Sequence, residues 1–185
     1  MKPTNRIPRL GVDIGRVIIH GDGPDTSFIQ ARDDETAMRA PAVDGAIDAL
    51  ARLTLRFDGA VWLVSKCGPR IEGLSRRWLA HHGFFERTGI SPAQLRFCRE
   101  RREKAGICLK LGVTMFVDDR LDVLLPMAGV VEHRFLFGVH ASSDPTVTPV
   151  PTWRATEAAI EAILDEVDRG VPLAPAGHHA QRARP

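Results

Sequence analysis

The chain has 185 residues, 44% of them hydrophobic and 26% charged, with a formal net charge of +2. That length suits one well-packed domain and excludes two comfortable ones. The near-balance of charge excludes a strong field for nucleic acid or a membrane surface, and without the last fifteen residues, which carry Arg182 and Arg184 and no acid, 23 basic and 23 acidic residues remain.

Three cysteines, Cys67, Cys98 and Cys108, are an odd number without CxxC spacing. This argues against a disulfide framework or structural zinc and for a reducing compartment. The N-terminal MKPTNRIPRL lacks an apolar stretch of signal-peptide length, and no apolar run approaches the ~20 residues a membrane span requires. A cytoplasmic protein is the expectation, with a globular domain over 1–170 and a disordered tail over 171–185.

In chain order, LGVDIG predicts a first strand covered on both faces and bounded by Pro8 and Gly15, with Asp13 near its C-terminal end. Residues 20–41 are rich in Gly, Pro and Asp and read as a long loop with one helical turn. A helix follows in VDGAIDALARLTLRF, where Val43, Ile47, Leu50 and Leu53 recur at helical spacing. AVWLVSK is a second strand, ending in Ser65 and Lys66, and IEGLSRRWLAHHG a helix closed by Gly83. After FFERTGISPA, read as a connection, LRFC gives a weak third strand and RREKAGICLKLG a helix closed by Gly112. VTMFVDD is the clearest strand, running into Asp118 and Asp119. LDVLLPMAG predicts a short helix, HRFLFG a further strand and ASSDPTVTPVP a Pro-rich loop. The last helix, TWRATEAAIEAILDEV, has Thr152 as N-cap and Trp153, Ile160, Ile163, Leu164 and Val167 on its apolar face.

Strands alternating with helices predict a single α/β domain, a doubly wound parallel sheet flanked by helices. In such sheets ligands sit at the carboxyl ends of the strands. Three of those ends carry polar groups: Asp13, Ser65-Lys66 and Asp118-Asp119, with Lys104 on the helix before the last. Neighbouring carboxylates repel unless a cation lies between them, and an oxygen-rich site of this kind suits Mg²⁺. A hydroxyl and an ammonium nearby could hold phosphate oxygens.

The order Asp, Ser, Lys and acidic pair resembles the haloacid dehalogenase-like hydrolase superfamily over roughly residues 9–138. FVDDRLDVLLPMAGVVEHRFLFG is similar to segments of its capless phosphatases and 5′-nucleotidase-like members. The resemblance implies a Rossmann-like domain and a Mg²⁺-dependent phosphohydrolase working through an aspartyl-phosphate. It implies Asp13 as nucleophile and metal ligand, Ser65 as a hydroxyl on the transferring phosphoryl group, and Lys104 as the lysine steadying nucleophile and phosphate. Lys66 and Lys110 compete for that last role. Asp118 and Asp119 match the acidic pair of the metal site.

The departure is Gly15, where the family's first motif carries a second Asp that protonates the leaving group. A glycine cannot transfer protons, although its backbone carbonyl could still ligate the metal. Arg16 follows where many relatives have Gly, a cation placed to contact phosphate or disturb it. About 20 residues separate the first motif from the next helix and about 38 separate Ser65 from Lys104, too few for a substantial cap domain. Capless relatives act on large phosphorylated substrates or borrow a lid by homo-oligomerisation. The second reading is a catalytically silent module that binds a phosphorylated ligand or a protein partner. A receiver domain fits less well, because its acidic pair follows the first strand.

The bland readings are definite too. Asp118-Asp119 could form an Asx-turn capping the next helix, and RFCRERREK could be a solvated helix face laced with i,i+3 and i,i+4 pairs rather than a nucleic-acid patch. His20, Asp22 and Asp25 could substitute for the missing acid, or only reflect loop polarity. His81-His82 and His178-His179 lack matched ligands, and Cys67, Trp62 and Trp78 read as packing residues.

Overall fold

The apolar runs form six parallel strands. They are β1 (Leu10–Val12), β2 (Val61–Lys66), β3 (Leu95–Cys98), β4 (Met115–Asp118), β5 (His133–Phe137) and β6 (Thr148–Val150), side by side in the order β3-β2-β1-β4-β5-β6. The structure is a computed structural model and describes residues 7–21, 33–139 and 144–170. The helices are α1 (Asp34–Met38), α2 (Ala46–Arg56), α3 (Pro69–His81), α4 (Phe84–Thr88), α5 (Glu103–Leu111), α6 (Leu121–Leu124) and α7 (Trp153–Asp168). This is the expected single α/β domain, a parallel sheet flanked by helices.

The two faces follow from the period of two along each strand. Leu10, Val12, Val61, Leu63, Met115, Val117, Phe135 and Phe137 point into one core, where Leu50 and Leu53 of α2, Trp78 of α3 and Ile160 and Leu164 of α7 meet them. Val64, Phe116 and Leu136 point the other way, against Cys108 of α5 and Val123 and Leu124 of α6. Each large side chain fully buried in this way contributes roughly 1.5–3 kcal/mol. The two deepest tryptophans also satisfy their polar atoms: Trp78 Nε1 donates to Ala40 O at 2.8 Å and Trp153 Nε1 to Val17 O at 2.7 Å.

Several boundaries differ from the sequence expectation. β1 stops at Val12, because Ile18 N and Ile19 N both turn back to Ile14 O, at 2.9 and 3.0 Å. Residues 84–88, expected as connection, form α4, which starts after Gly83 with φ of 61°. Gly83 follows the C-cap residue His82 of α3, the left-handed position that glycine takes without strain. The Pro-rich segment expected as loop contains β6, and Pro149 is tolerated because β6 is an edge strand. Thr152 caps α7 as expected, its hydroxyl accepting from Ala155 N at 3.2 Å. The helical turn expected within 20–41 is α1, capped by Asp33 accepting from Thr36 N at 2.7 Å. Asp22, Asp25, His178-His179 and the tail expected to be disordered lie outside the described residues. Among the described residues, no helix is long and apolar enough to cross a membrane.

Candidate functional site

β1 lies between β2 and β4, so the chain winds outward on one side of β1 through β3 and then crosses to the other side at β4. The crevice above β1 and β4 is the switch point of the sheet. Val12 pairs with Val117, and Asp13 N donates to Val117 O at 2.9 Å, so the residues after these valines stand side by side. Adjacent strands are only about 4.8 Å apart, which brings Asp13 and Asp118 together whatever their mutual repulsion.

Alternation then decides which way each acid points. Phe116 faces α5, Val117 faces the opposite core, and Asp118 returns to the α5 side; Asp13 is in the same phase. Lys104 rises from α5 into that space. Its Nζ lies 2.9 Å from Asp13 Oδ1 and donates to Asp118 Oδ2 at 2.8 Å, 5.8 Å from the centroid of the Phe116 ring. Asp118 Oδ1 accepts from Arg120 N at 3.0 Å, so the acid also makes the local turn that a bland reading assigns it. Asp119 follows the end of β4 and meets Arg16, whose Nε is 3.1 Å from Asp119 Oδ2.

A further consequence of this phasing is a small residue beneath the cluster. A Cβ on Gly11 would come within 2.4 Å of Phe116 Cδ2, so only glycine lets that ring lie across β1 and carry Lys104.

The electrostatics are those of crowded buried charge. Burial would push the Lys104 ammonium down, but Asp13 and Asp118 outweigh it and hold the group above its ordinary value. Burial pushes the fully enclosed Asp118 carboxyl up, with Asp13 and Asp119 adding to the effect against Lys104. Asp119 is raised by burial and by Asp13, and Arg16 opposes this. The three carboxyls meet two cations at ion-pair distance, Lys104 on Asp13 and Asp118 and Arg16 on Asp119.

One oxygen of each of Asp13, Asp118 and Asp119 lies within 4.8 Å of the others, all three residues being buried. Asp13 Oδ1 and Asp119 Oδ2 have no directed hydrogen bond; their cations stand at ion-pair distance only. Three clustered carboxyl groups are hard oxygen donors, and such a set fits a divalent cation such as Mg²⁺. Gly15 sits at the rim. The bridge between Gly15 and Ile19 uses Ile14 O and Arg16 N, not the Gly15 carbonyl.

Of the remaining candidates, Ser65 is buried at the end of β2, the strand beside β1. Lys66 is exposed. Lys110 is exposed on α5 and lines a cavity with Arg9 and Gly112, before β1 and β4 begin, at the far end of the sheet from Asp13. Lys104 is therefore the lysine that touches the acids. His82 stacks on Trp78 with ring centroids 4.0 Å apart and its Nε2 lies 2.9 Å from Met38 O, while His81 is exposed. Burial pushes the Cys67 thiol up to about 11, which marks a packing residue rather than a reactive one.

The RFCRERREK segment is paired differently from the helical lacing expected. Arg99 reaches Glu72, Arg101 reaches Asp122, and Arg102 pairs with Glu100, because α5 begins only at Glu103. What sequence reading missed is the Phe116 platform over Gly11, which no local pattern signals.

A doubly wound sheet with an acid cluster and a buried lysine at its switch point defines a Rossmann-like α/β protein. Among the solved structures that match the chain, two illustrate that architecture. One is a haloacid dehalogenase-like family hydrolase from Xanthomonas campestris, with TM-score 0.50 and 16% identity over 71% of this chain and 60% of that one. The other is a D,D-heptose 1,7-bisphosphate phosphatase from Burkholderia thailandensis, with TM-score 0.51 and 14% identity over 84% of this chain and 99% of that one. At these identities the shared property is the fold. No protein-family model matches the sequence, and no curated protein matches it either.

Proposed function

We propose that this chain is a Mg²⁺-dependent phosphohydrolase of the haloacid dehalogenase-like type, capless, acting on a phosphate monoester at Asp13. The observation that carries this reading is the convergence of Asp13, Asp118 and Asp119 around buried Lys104 at the switch point of the sheet. The phosphatase among the structural neighbours supports the same chemistry.

An Asp13 oxygen attacks phosphorus and forms the O–P bond of an aspartyl-phosphate as the bond to the leaving oxygen breaks. Lys104 orients Asp13 and offsets charge on the phosphoryl oxygens. Ser65 donates its hydroxyl to the transferring group, and Arg16 and Lys66 are the further cations near phosphate. Asp13, the Gly15 carbonyl, Asp118 and Asp119 would hold Mg²⁺, which supplies charge neutralisation between carboxylates and phosphate. Water then cleaves the acyl phosphate and restores Asp13.

Gly15 has no side chain to protonate the leaving group, a contribution typically worth ~10²–10⁴-fold. Turnover is accordingly slow, with a preference for good leaving groups. The test is Mg²⁺-dependent hydrolysis of an activated aryl phosphate. Activity is expected in the native protein and absent in Asp13→Asn; equal rates in the two sink the proposal.

The absent acid at Gly15 and the Arg16–Asp119 pair favour a second reading, a silent module that binds a phosphorylated ligand or a protein partner. Gly15 is not among the glycines with positive φ, so no left-handed backbone opposes an aspartate there. If the native protein is inert and Gly15→Asp gains hydrolysis of ~10²-fold or more over it, binding is the native role and the scaffold is intact. A native protein that already hydrolyses the aryl phosphate through Asp13 removes this reading. A capless site further suits a large substrate or a lid from a second copy, and three free, buried cysteines suit a reducing cytoplasm.

A further inference from the structure

We propose that Arg16 is a tethered cation that competes with the divalent metal for Asp119, so that metal binds only as the guanidinium withdraws. The inference rests on the metal site proposed above. It concerns a residue that occupies a glycine-like backbone position: Arg16 has φ of 62°, and Arg16 and Asp58 are the two non-glycine residues with positive φ among those described. Asp tolerates that region through local hydrogen bonds, whereas Arg has no such help. The strain persists because the turn around Arg16 is over-determined. Arg16 N donates to Ile19 O at 2.8 Å, Ile18 N and Ile19 N both return to Ile14 O, and Val17, Ile18 and Ile19 are fully buried.

From this rigid turn the guanidinium lands on Asp119 Oδ2 at 3.1 Å, an oxygen with no directed hydrogen bond, in a carboxylate that belongs to the metal-sized cluster. A guanidinium and a divalent cation on one carboxylate repel, and their interaction is strong where water is scarce. Withdrawing the guanidinium removes one positive charge from the carboxylate that a divalent ion would share.

Mn²⁺, used as a spectroscopic stand-in for Mg²⁺, is titrated into the full native chain and into Arg16→Gly, Arg16→Asn and Arg16→Lys, with free Mn²⁺ read by electron paramagnetic resonance. Gly and Asn both suit positive φ and remove the charge, so either one carries the test if the other fails to fold. Lys keeps the charge. The expected result is binding about tenfold or more tighter in the Gly and Asn variants, and near-native binding in Arg16→Lys. Binding that is equal or weaker in Arg16→Gly and Arg16→Asn, while Asp119→Asn abolishes it, overturns the competition and leaves the metal site standing. Absence of Mn²⁺ binding in every protein overturns the metal site itself, and the inference with it.

Discussion

Lys104 shows how a single side chain makes the centre stable. Two carboxylates forced together by strand register are tolerable because one buried ammonium touches both, at 2.9 and 2.8 Å. Removing one partner from such a buried arrangement leaves uncompensated charge, at a cost of roughly 3–5 kcal/mol. Lys104→Met, which preserves most of the volume, is expected to lower the unfolding free energy by about that amount in urea. A loss under about 1 kcal/mol would show that Asp13 and Asp118 relax apart or share a proton instead. The same residue separates three candidates that look alike on paper. Lys66 and Lys110 are exposed, and only Lys104 has the helix phase and strand neighbours that place an ammonium at the acids.

At the scale of elements, β1 and β4 act as a matched pair. Their common phase sends Asp13 and Asp118 to the α5 side, where Lys104 meets both, and Asp119 just beyond β4 brings Arg16 to the same cluster. Gly11 keeps the pair in contact, because Phe116 lies where its Cβ would be. Gly11→Val is expected to destabilise the fold by about 1–3 kcal/mol, the usual cost of overpacking a well-filled core. Chemical denaturation measures this. If Phe116→Ala is introduced in the same chain, the two costs should not add, since the smaller side chain vacates the space the valine needs.

For the whole molecule, the C-terminal helix reaches back to the turn after the first motif. Trp153 Nε1 donates to Val17 O across 136 positions of sequence, and Arg52 and Arg56 of α2 pair with Glu157, Glu161, Asp165 and Asp168 of α7. The ion pairs lie at the surface, where solvent and salt screen them, and each contributes little. The buried indole contact is worth more, since its loss leaves a carbonyl unpaired at about 1–3 kcal/mol. Trp153→Phe is therefore expected to lower stability by that amount and to speed amide exchange at Ile18 and Ile19 more than at the centre of α3. Uniform acceleration across the chain would mean that α7 supports the core but not the turn.

Much of this architecture is legible in the sequence, for local reasons. Continuous apolar runs such as VWLVSK and TMFVD announce strands buried on both faces, and spaced apolar residues with Thr152, Gly83 and Gly112 announce helices and their ends. The order of Asp13, Ser65, Lys104 and Asp118-Asp119 is likewise a property of the chain, and it suffices to say that polar groups gather at strand ends. β6 and α4 were not legible, because Pro149 and the Gly83–Gly89 spacing look like connection until an edge strand and a neighbouring helix pack on them. What the tertiary structure alone decides is contact through space. Strand register, not spacing in sequence, chooses Lys104 over its rivals, turns Asp119 toward Arg16 and requires glycine at position 11. Each of these depends on which strands are neighbours and on the phase in which they pair, and one chain's local preferences carry no record of either.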